Sequence, residues 1–244
     1  MGTYTFGDDR SALDRLRLVA DAYEPVSRAF IESNAPATVQ VAIDLGCGPA
    51  FSTRLLEDVC HPRTLVGIDS SGAFVSSARA RLPGARFETH DVCVNPLPGA
   101  PADLIYARLL LAHLADPVSV ANDWRSQLRP GGRLLIEDLD AVHDAPGPLR
   151  DYERMSTEIV RSGGGPMYAG ALLAQLGGNT TPVTVSGALA ATIYLFNVRR
   201  WRNTPALGVD QDRLQLLEAG LVDLTLDDRG TSVSWLVRQL VLDA

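Results

Sequence analysis

The glycine turn that follows an acidic residue is the feature of this sequence with the clearest chemistry. Residues 41–50 read VAIDLGCGPA, an apolar run that leads into a glycine turn and then into a helix. Open α/β sheets bind ligands at such turns. A dinucleotide would need a small residue where Phe51 stands, because helix and strand must pack closely around its pyrophosphate. Asp44 would repel a pyrophosphate but suits cationic groups and hydroxyls, so the turn predicts a cationic nucleoside.

Two further acids follow predicted strands. Asp69 ends the second strand, where the equivalent acid of dinucleotide folds accepts hydrogen bonds from ribose hydroxyls. Asp91 follows the third strand, where a carboxylate can accept from an exocyclic adenine amine while Val92 supplies an apolar contact and a backbone donor. The carboxyl ends of parallel strands meet at one edge of a sheet, so we expect these acids to line one cleft.

These residues resemble the class I S-adenosylmethionine-dependent methyltransferases, and among them the small-molecule type of bacterial secondary metabolism. The resemblance covers residues 39–140 and 207–242 and is carried by the segments DLGCGP at 44–49, VGIDSS at 66–71, DV at 91–92, ADLIYAR at 102–108 and LRPGGRLL at 128–135. It implies an α/β, doubly wound, Rossmann-like sheet of seven strands in the order 3-2-1-4-5-7-6, with strand 7 antiparallel. It also implies S-adenosylmethionine as the cofactor and S-adenosylhomocysteine as its product.

The resemblance also implies roles for individual residues. Gly46 and Gly48 would approach the methionine portion and the sugar, Asp69 would bind ribose and Asp91 would bind adenine. The expected cofactor-binding residues are Asp44, Gly46, Cys47, Gly48, Asp69, Ser70, Asp91, Val92, Arg108 and Tyr23. Ala50 departs from the family pattern, which usually has a third glycine there. An alanine fits that position only if its φ angle is negative, and it would weaken cofactor affinity otherwise.

In the implied reaction, the main task of the protein is to position the reactants. A sulfonium methyl is already activated, so holding a nucleophile in line behind it and excluding water supplies much of the rate. If the acceptor is a hydroxyl or a carbon acid, His113 is the candidate base, and helix capping or packing is its alternative role. Arg108 is expected to hold a carboxylate, or to form an ion pair that orders its loop. Tyr23 is expected to reach the methionine carboxylate or the acceptor, or to pack an N-terminal lid.

The acceptor is expected to bind at the end of the fifth strand and in the segment that follows it. The expected substrate-binding residues are Glu137, Met167, Tyr168, Phe196 and Trp201. Glu137 and Asp138 end the predicted strand 134–138, where one of them would orient or deprotonate the acceptor, or either would cap the next turn. The other four belong to a predicted cap, where aromatic and soft side chains form either an apolar pocket or the cap's own small core.

Alternating apolar runs and helical patterns predict the elements that position these residues. Strands are predicted at 39–45, 65–69, 86–89, 104–107 and 134–138, and helices at 51–59, 73–82 and 117–128. Two short helices are expected to meet at Pro25, and a helix over 211–219 is expected to precede a hairpin of strands 221–226 and 232–242 around a turn at 227–230. We predict a single domain, residues 1–244, with a helical flank at 1–36, core sheet at 37–140 and 207–244, and an inserted substrate cap at 141–206.

Composition excludes several function classes. All 22 basic residues are arginine, which excludes a lysine Schiff base and a P-loop lysine. The net charge of -7 at pH 7, with scattered arginines, disfavours a nucleic-acid partner. The three cysteines lack metal-type spacing, so no metal site is predicted. No leader-like segment or membrane-length apolar run is found, which predicts a cytoplasmic protein without a membrane partner; we expect a monomer or homodimer.

We therefore expect a methyltransferase that acts on O, N or C of a small, partly apolar metabolite in bacterial natural-product biosynthesis. Three alternatives stay open. The same fold and cofactor can serve a non-methylating reaction such as cyclisation or rearrangement. A nicotinamide-dependent oxidoreductase is opposed by Asp44 and Phe51. A nonenzymatic nucleoside-binding regulator has no recognisable partner surface in the sequence.

Overall fold

The computed structural model describes residues 6–228 and 230–244, and the elements below belong to those residues. The helices are α1 (Arg10–Asn34), α2 (Phe51–Cys60), α3 (Gly72–Arg81), α4 (Pro117–Arg125), α5 (Pro148–Ser162), α6 (Ala169–Leu173), α7 (Gly187–Arg202) and α8 (Gln211–Leu226). The strands are β1 (Val41–Leu45), β2 (Thr64–Asp69), β3 (Arg86–Thr89), β4 (Ala102–Arg108), β5 (Leu128–His143), β6 (Asn179–Ser186) and β7 (Ser232–Asp243). Residues 1–5 of the predicted flank and Arg229 of the predicted turn lie outside this description.

The strands of the described residues form one sheet in the order β3-β2-β1-β4-β5-β7-β6. Strands β1 to β5 pair in parallel, whereas β7 pairs antiparallel with both β5 and β6. The predicted fold class, strand order and antiparallel seventh strand are confirmed. The order reverses between β1 and β4, so the loops at their carboxyl ends diverge and leave a crevice there.

The central strands are buried on both faces because helices cover both sides of the sheet. In β1, Ile43 and Leu45 pack into one core cluster, while Ala42 packs into the cluster on the opposite face. This period of two follows from the pleat of a strand. Runs of Ile, Leu and Val that are buried on both sides are typical of parallel sheets, and they hold the crevice loops on a rigid base.

One continuous helix, α1, replaces the two short helices predicted to meet at Pro25. Asp9 caps its start by accepting a hydrogen bond from the Ala12 backbone N–H at 3.0 Å. A proline inside a helix costs about 3 kcal/mol, since it removes a backbone donor and clashes with the preceding turn. Here the buried residues of α1 pack against α2 and α7, and this packing offsets the cost of the proline.

The predicted strand at 221–226 is wrong, because α8 continues to Leu226. Gly220, which directly follows the predicted helix 211–219, lies inside α8, where an added Cβ would come 2.7 Å from Cγ of Pro148. The glycine therefore allows α5 and α8 to pack closely. Leu214, Leu217 and Leu221 are buried at helical spacing, so tertiary packing extends the helix beyond its local stop signal.

The antiparallel partner of β7 is instead β6, which lies within the segment 141–206 predicted as a cap. That segment also supplies α5, α6 and α7. Pro182 lowers the strand signal of β6, yet a proline is tolerated on an edge strand such as this one. Among the described residues, no helix has the length and apolar character needed to cross a bilayer.

Candidate active site

A cavity of about 530 Å³ opens at the carboxyl ends of β1, β2 and β4, beneath α1 and beside α5 and α7. Its volume lies within the range of small-molecule sites. Eleven of the residues that the sequence singled out line it: Tyr23, Gly46, Cys47, Gly48, Asp69, Ser70, Asp91, Val92, Arg108, His113 and Met167. The fold therefore gathers residues from distant parts of the chain at one crevice, as the strand-end positions of the acids predict.

The turn after β1 is built on left-handed backbone. Gly46 and Gly48 have φ angles of 63° and 50°, and an added Cβ at Gly48 would meet only a Leu16 methyl, at 3.9 Å. That glycine thus leaves space on the cavity side of the turn. Ala50 has a φ angle of 69°, so the negative angle that an alanine needs in order to fit this position without strain is absent. The left-handed conformation costs an alanine about 1–2 kcal/mol, which the turn hydrogen bond from Ala50 N–H to the Cys47 carbonyl helps to offset.

Asp69 joins the loops that follow β1 and β2. Its two carboxylate oxygens accept hydrogen bonds from the backbone N–H groups of Gly48 and Ser71, at 2.9 Å and 2.8 Å. Burial raises the pKa of Asp69, and these hydrogen bonds act in the opposite direction. Each carboxylate oxygen has a second lone pair, so Asp69 can hold the glycine turn and still accept from a ligand hydroxyl.

The loop after β3 is held in place on both sides of its Asp91-Val92 pair. Asp91 is exposed and accepts a hydrogen bond from the Cys93 backbone N–H at 2.9 Å. Val92 is buried, and its carbonyl accepts a hydrogen bond from the indole of Trp124 at 2.8 Å. The two residues therefore present one acidic and one apolar group to the same end of the cavity.

Arg108 and Tyr23 form the wall between the glycine turn and α1. The guanidinium of Arg108 donates to Ser27 Oγ at 3.1 Å and lies 6.0 Å from the centre of the Tyr23 ring. Tyr23 stacks on Trp235 with ring centres 5.8 Å apart. Burial raises the pKa of Tyr23, so its phenol stays protonated and can donate a hydrogen bond.

Asp44 lies beneath the glycine turn and does not line the cavity, so its predicted contact with the cofactor is corrected. The residue is fully buried, and its Oδ2 accepts hydrogen bonds from the hydroxyls of Ser52 and Thr53 at 2.8 Å and 2.6 Å. Burial raises its pKa to about 6. Because these hydroxyls belong to the first turn of α2, Asp44 positions the helix that follows the turn, where its charge also suits the helix dipole.

Glu137 and Asp138 follow one another within β5 and point to opposite faces of the sheet. Asp138 lines the cavity and accepts hydrogen bonds from the backbone N–H groups of Leu111 and Leu139, at 2.8 Å and 2.9 Å. Burial raises its pKa to about 7. Glu137 does not line the cavity: it accepts from the hydroxyl of Tyr106 and the amide of Gln239 on the other face. The predicted acceptor contact of Glu137 is therefore corrected, because successive residues of a strand face opposite sides.

His113 ends the short 3-10 turn that follows β4 and lines the cavity. Its ring meets the Phe6 ring edge-on, with centres 5.7 Å apart. Burial, and then the nearby charge of Arg15, lowers the pKa of His113 to about 4. The imidazole is therefore neutral near neutral pH. Its role as a base stays a prediction.

A hydrogen-bonded cluster of tyrosines and one glutamate forms the far wall of the cavity. Tyr152 and Tyr194 stack with ring centres 3.7 Å apart. Glu153 accepts a hydrogen bond from the Tyr194 hydroxyl, which itself accepts from the indole of Trp235 at 2.9 Å. The Asn197 amide donates to the Tyr152 hydroxyl at 2.5 Å. Burial raises the pKa of Glu153 to about 7. Because the hydroxyl, amide and carboxyl groups lie beside stacked rings, this wall presents polar groups on a rigid aromatic surface.

Three of the predicted cap residues lie behind this wall, which corrects their assignment to the acceptor site. Tyr168 faces away from the cavity and reaches Glu153 with its hydroxyl at 3.3 Å. Trp201 is fully buried and stacks behind Tyr152, with ring centres 5.5 Å apart. Phe196 is half-buried and lies on a face of α7 other than the one that lines the cavity. Met167 alone of these four lines the cavity.

Two charged residues of the wall were not among the predicted site residues: Arg15 and Glu153. Arg15 and Glu153 stand at positions where the helical pattern of α1 and α5 places buried residues. A charge at a core position of an amphipathic helix is a signal that the sequence contains. Asp138 was predicted together with Glu137 as an acid for the acceptor, and of the two it is the one that lines the cavity.

The chain is similar to known proteins in both sequence and fold. The sequence pattern of the methyltransferase domain family matches residues 43–136. Trans-aconitate 2-methyltransferase of Methylobacterium nodulans is 37% identical, over 54% of this chain and 47% of its own length. That of Variovorax paradoxus is 44% identical, over 50% of this chain and 52% of its own length. The chain thus spans about half the length of these curated relatives.

Solved structures share the fold at low sequence identity. A methyltransferase from Thiobacillus denitrificans in complex with S-adenosyl-L-homocysteine superposes with a TM-score of 0.52 at 16% identity, covering 91% of this chain and 90% of that one. The YcgJ protein of Bacillus subtilis gives 0.56 at 15% identity, covering 89% and 97%. We conclude that residues 43–136 match the methyltransferase domain family and that the chain as a whole has the fold of these solved structures.

Proposed function

We propose that this chain transfers the methyl group of S-adenosylmethionine to a small metabolite. One observation carries the proposal: a single cavity joins the glycine turn and the strand-end acids Asp69 and Asp91 to a second wall made by Tyr152 and Glu153. The first part has the donors and acceptors that a nucleoside requires, and the second has room and polar groups for an acceptor.

The residues present fit the cofactor. The open side of Gly48 allows close approach of a ligand to the turn, and Asp69 keeps lone pairs for ribose hydroxyls. Val92 and Asp91 offer an apolar contact and an acceptor for an adenine, and Arg108 lies where it can pair with the methionine carboxylate. When bound, the cofactor supplies an electrophilic methyl on a sulfonium. The remaining steps fall to the protein's own side chains.

Those side chains position the acceptor and receive its proton. The stacked Tyr152 and Tyr194 exclude water and give the acceptor a flat surface to pack on. His113 is neutral and has the lone pair that a base needs, although its low pKa suits an acceptor that loses its proton readily. Glu153 and Asp138, each with a pKa of about 7, are the other cavity groups that can accept a proton near neutral pH.

The curated relatives named trans-aconitate 2-methyltransferase support a small-molecule acceptor. A non-methylating reaction with the same cofactor is the alternative that we keep from the sequence. A role in natural-product biosynthesis, a cytoplasmic location, a monomeric or homodimeric state and the lack of a nucleic-acid partner stay predictions.

Calorimetry and a methyl-transfer assay test this proposal together. We expect S-adenosylmethionine and S-adenosylhomocysteine to bind, and NAD to show no heat at the same concentrations. With S-adenosylmethionine labelled in the methyl group, the label should appear in an acceptor drawn from a panel of small acids, phenols and amines. Binding of NAD in preference to the sulfonium nucleoside would refute the proposal, and an acceptor consumed while the label stays on the cofactor would favour the non-methylating alternative.

A further inference from the structure

Arg15 lies on α1 and is buried in the wall of the cavity. Arg15 is 7% exposed, and its Nε and Nη2 atoms have no partner among the described residues. Its guanidinium carbon lies 5.3 Å from the centre of the Phe6 ring, which supports the flat face of the group. The edge of the guanidinium, where its N–H donors are, is therefore the part left for a ligand.

No acidic side chain of the described residues forms an ion pair with Arg15, although other cavity residues are acidic. Asp69 and Asp138 already accept backbone hydrogen bonds, and Glu153 accepts from tyrosine hydroxyls. Burying an unpaired charge costs several kcal/mol, so such a group is rare in a protein without a function for it. The cost would be recovered when an anion enters the cavity.

Arg15 belongs to the acceptor side of the cavity. It neighbours His113, whose pKa its charge lowers, and both contact the ring of Phe6. Arg108, by contrast, is the arginine beside the glycine turn, where it is held by Ser27 and lies close to Tyr23. The two arginines thus stand at different places on the wall, and Arg108 is the one placed for the methionine carboxylate.

We propose that Arg15 binds a carboxylate of the acceptor, so that this enzyme takes small carboxylic acids as substrates. This inference rests on the proposed function. Arginine recognises a carboxylate through two parallel N–H donors, and the free Nε and Nη2 atoms are such a pair. The acid binds with its carboxylate on Arg15 and its body against the wall of Tyr152 and Tyr194, beside His113.

Binding of acids to the protein saturated with S-adenosylhomocysteine tests the inference. The probes are trans-aconitate, cis-aconitate, succinate, benzoate and octanoate, with the trimethyl ester of trans-aconitate and benzamide as uncharged counterparts. We expect at least one acid to bind and its uncharged counterpart to bind far more weakly. Arg15→Gln should weaken acid binding about tenfold to a hundredfold, as for the loss of charge-assisted hydrogen bonds, and Arg15→Lys should restore part of it. Arg17→Gln, at an exposed position of the same helix, should change nothing.

The same variants separate the two sources of a carboxylate. Affinity for S-adenosylhomocysteine should stay unchanged in Arg15→Gln; a tenfold loss there would place the cofactor's own carboxylate on Arg15 and overturn the inference. Failure of every acid to bind, or equal binding by parent and variant, would overturn it as well. If the parent binds no S-adenosylhomocysteine at all, the proposed function itself fails.

Stability of the ligand-free protein distinguishes a binding role from a structural one. An unpaired buried cation destabilises the empty protein, so Arg15→Met should raise the thermal midpoint by about 2–6 °C while acid binding is lost. A structural arginine would give the opposite result. A fall in the midpoint together with undiminished acid binding in Arg15→Gln would show that Arg15 only packs against Phe6.

Discussion

Replacing Asp69 by asparagine should separate the two tasks that its carboxylate performs. In the ligand-free protein, Asp69 accepts one hydrogen bond from Gly48 and one from Ser71. An asparagine has a single oxygen, so one of these backbone N–H groups loses its acceptor and faces an amide N–H₂. An unsatisfied buried donor costs about 1–3 kcal/mol. A protein of this size should then unfold about 2–10 °C lower.

In free energy, the loss of nucleoside binding should be larger than the loss of folding stability. Two ribose hydroxyls that donate to a charged carboxylate contribute about 1.5–3 kcal/mol each. We therefore expect Asp69→Asn to bind S-adenosylhomocysteine at least about a hundredfold more weakly in calorimetry. The thermal midpoint, measured on the same samples, reports the separate effect on the turn.

Asp116→Asn is the matched control for this variant. Asp116 also accepts a backbone hydrogen bond at a helix start, from Ser119 at 3.0 Å, but it does not line the cavity. Asparagine caps a helix about as well as aspartate, so this variant should lose only the charge–dipole interaction, about 0.3–1 kcal/mol, and no nucleoside affinity. If Asp69→Asn binds S-adenosylhomocysteine within about threefold of the parent, the assignment of ribose to Asp69 is refuted.

Three further predictions concern catalysis, pH and packing. His113→Gln should lower kcat at least about tenfold while the affinity for S-adenosylhomocysteine stays the same; equal kcat values would return His113 to a packing role. Burial raises the pKa of Glu153 from 4.5 to about 7. Below pH 4.5 the side chain is protonated in both the folded and the unfolded protein, so its titration does not affect stability. As the pH rises from about 4.5 through 7, the unfolded state loses this proton more readily than the folded state, and the free energy of unfolding falls. Glu153→Gln should therefore be the more stable protein at pH 8, by up to about 3 kcal/mol, and should lose this advantage by pH 4.5; parallel pH profiles in urea unfolding would contradict this. Gly220→Ala should lower the free energy of unfolding by about 1–3 kcal/mol, because the added Cβ would press on Pro148. Gly72→Ala, where the added Cβ meets nothing within 4 Å, should be neutral or stabilising. Similar thermal midpoints for the two variants would argue against close helix packing at Gly220.

Local sequence was enough to predict that the residues proposed to bind the nucleoside line one cavity. The glycine turn, Asp69 and Asp91 all follow strands, and parallel strands bring their carboxyl ends to one edge whatever the details of packing. Asp44 was misplaced because its type suggested a ligand contact, whereas burial and two hydroxyl donors make it a support for α2. The sequence identifies the acid but not the side of the turn on which it lies.

The acceptor side depends on tertiary packing, and there the sequence was a weaker guide. Glu137 and Asp138 are neighbours in a strand that is buried on both faces, so no alternation of polar and apolar residues reveals which of them faces the cavity. Likewise, Gly220 has the local signature of a helix end, and only the proximity of Pro148 explains why α8 runs through it. The sequence therefore predicts a strand at 221–226 as the partner of β7, whereas α8 occupies those residues and β6 is the partner.

A crystal structure with S-adenosylhomocysteine would test the central claim most directly. We expect the ribose on Asp69, the adenine beside Asp91 and Val92, and the sulfur facing the space in front of Tyr152. A nucleoside bound elsewhere, or a sulfur turned away from that space, would contradict the account of this cavity as a methyl-transfer site.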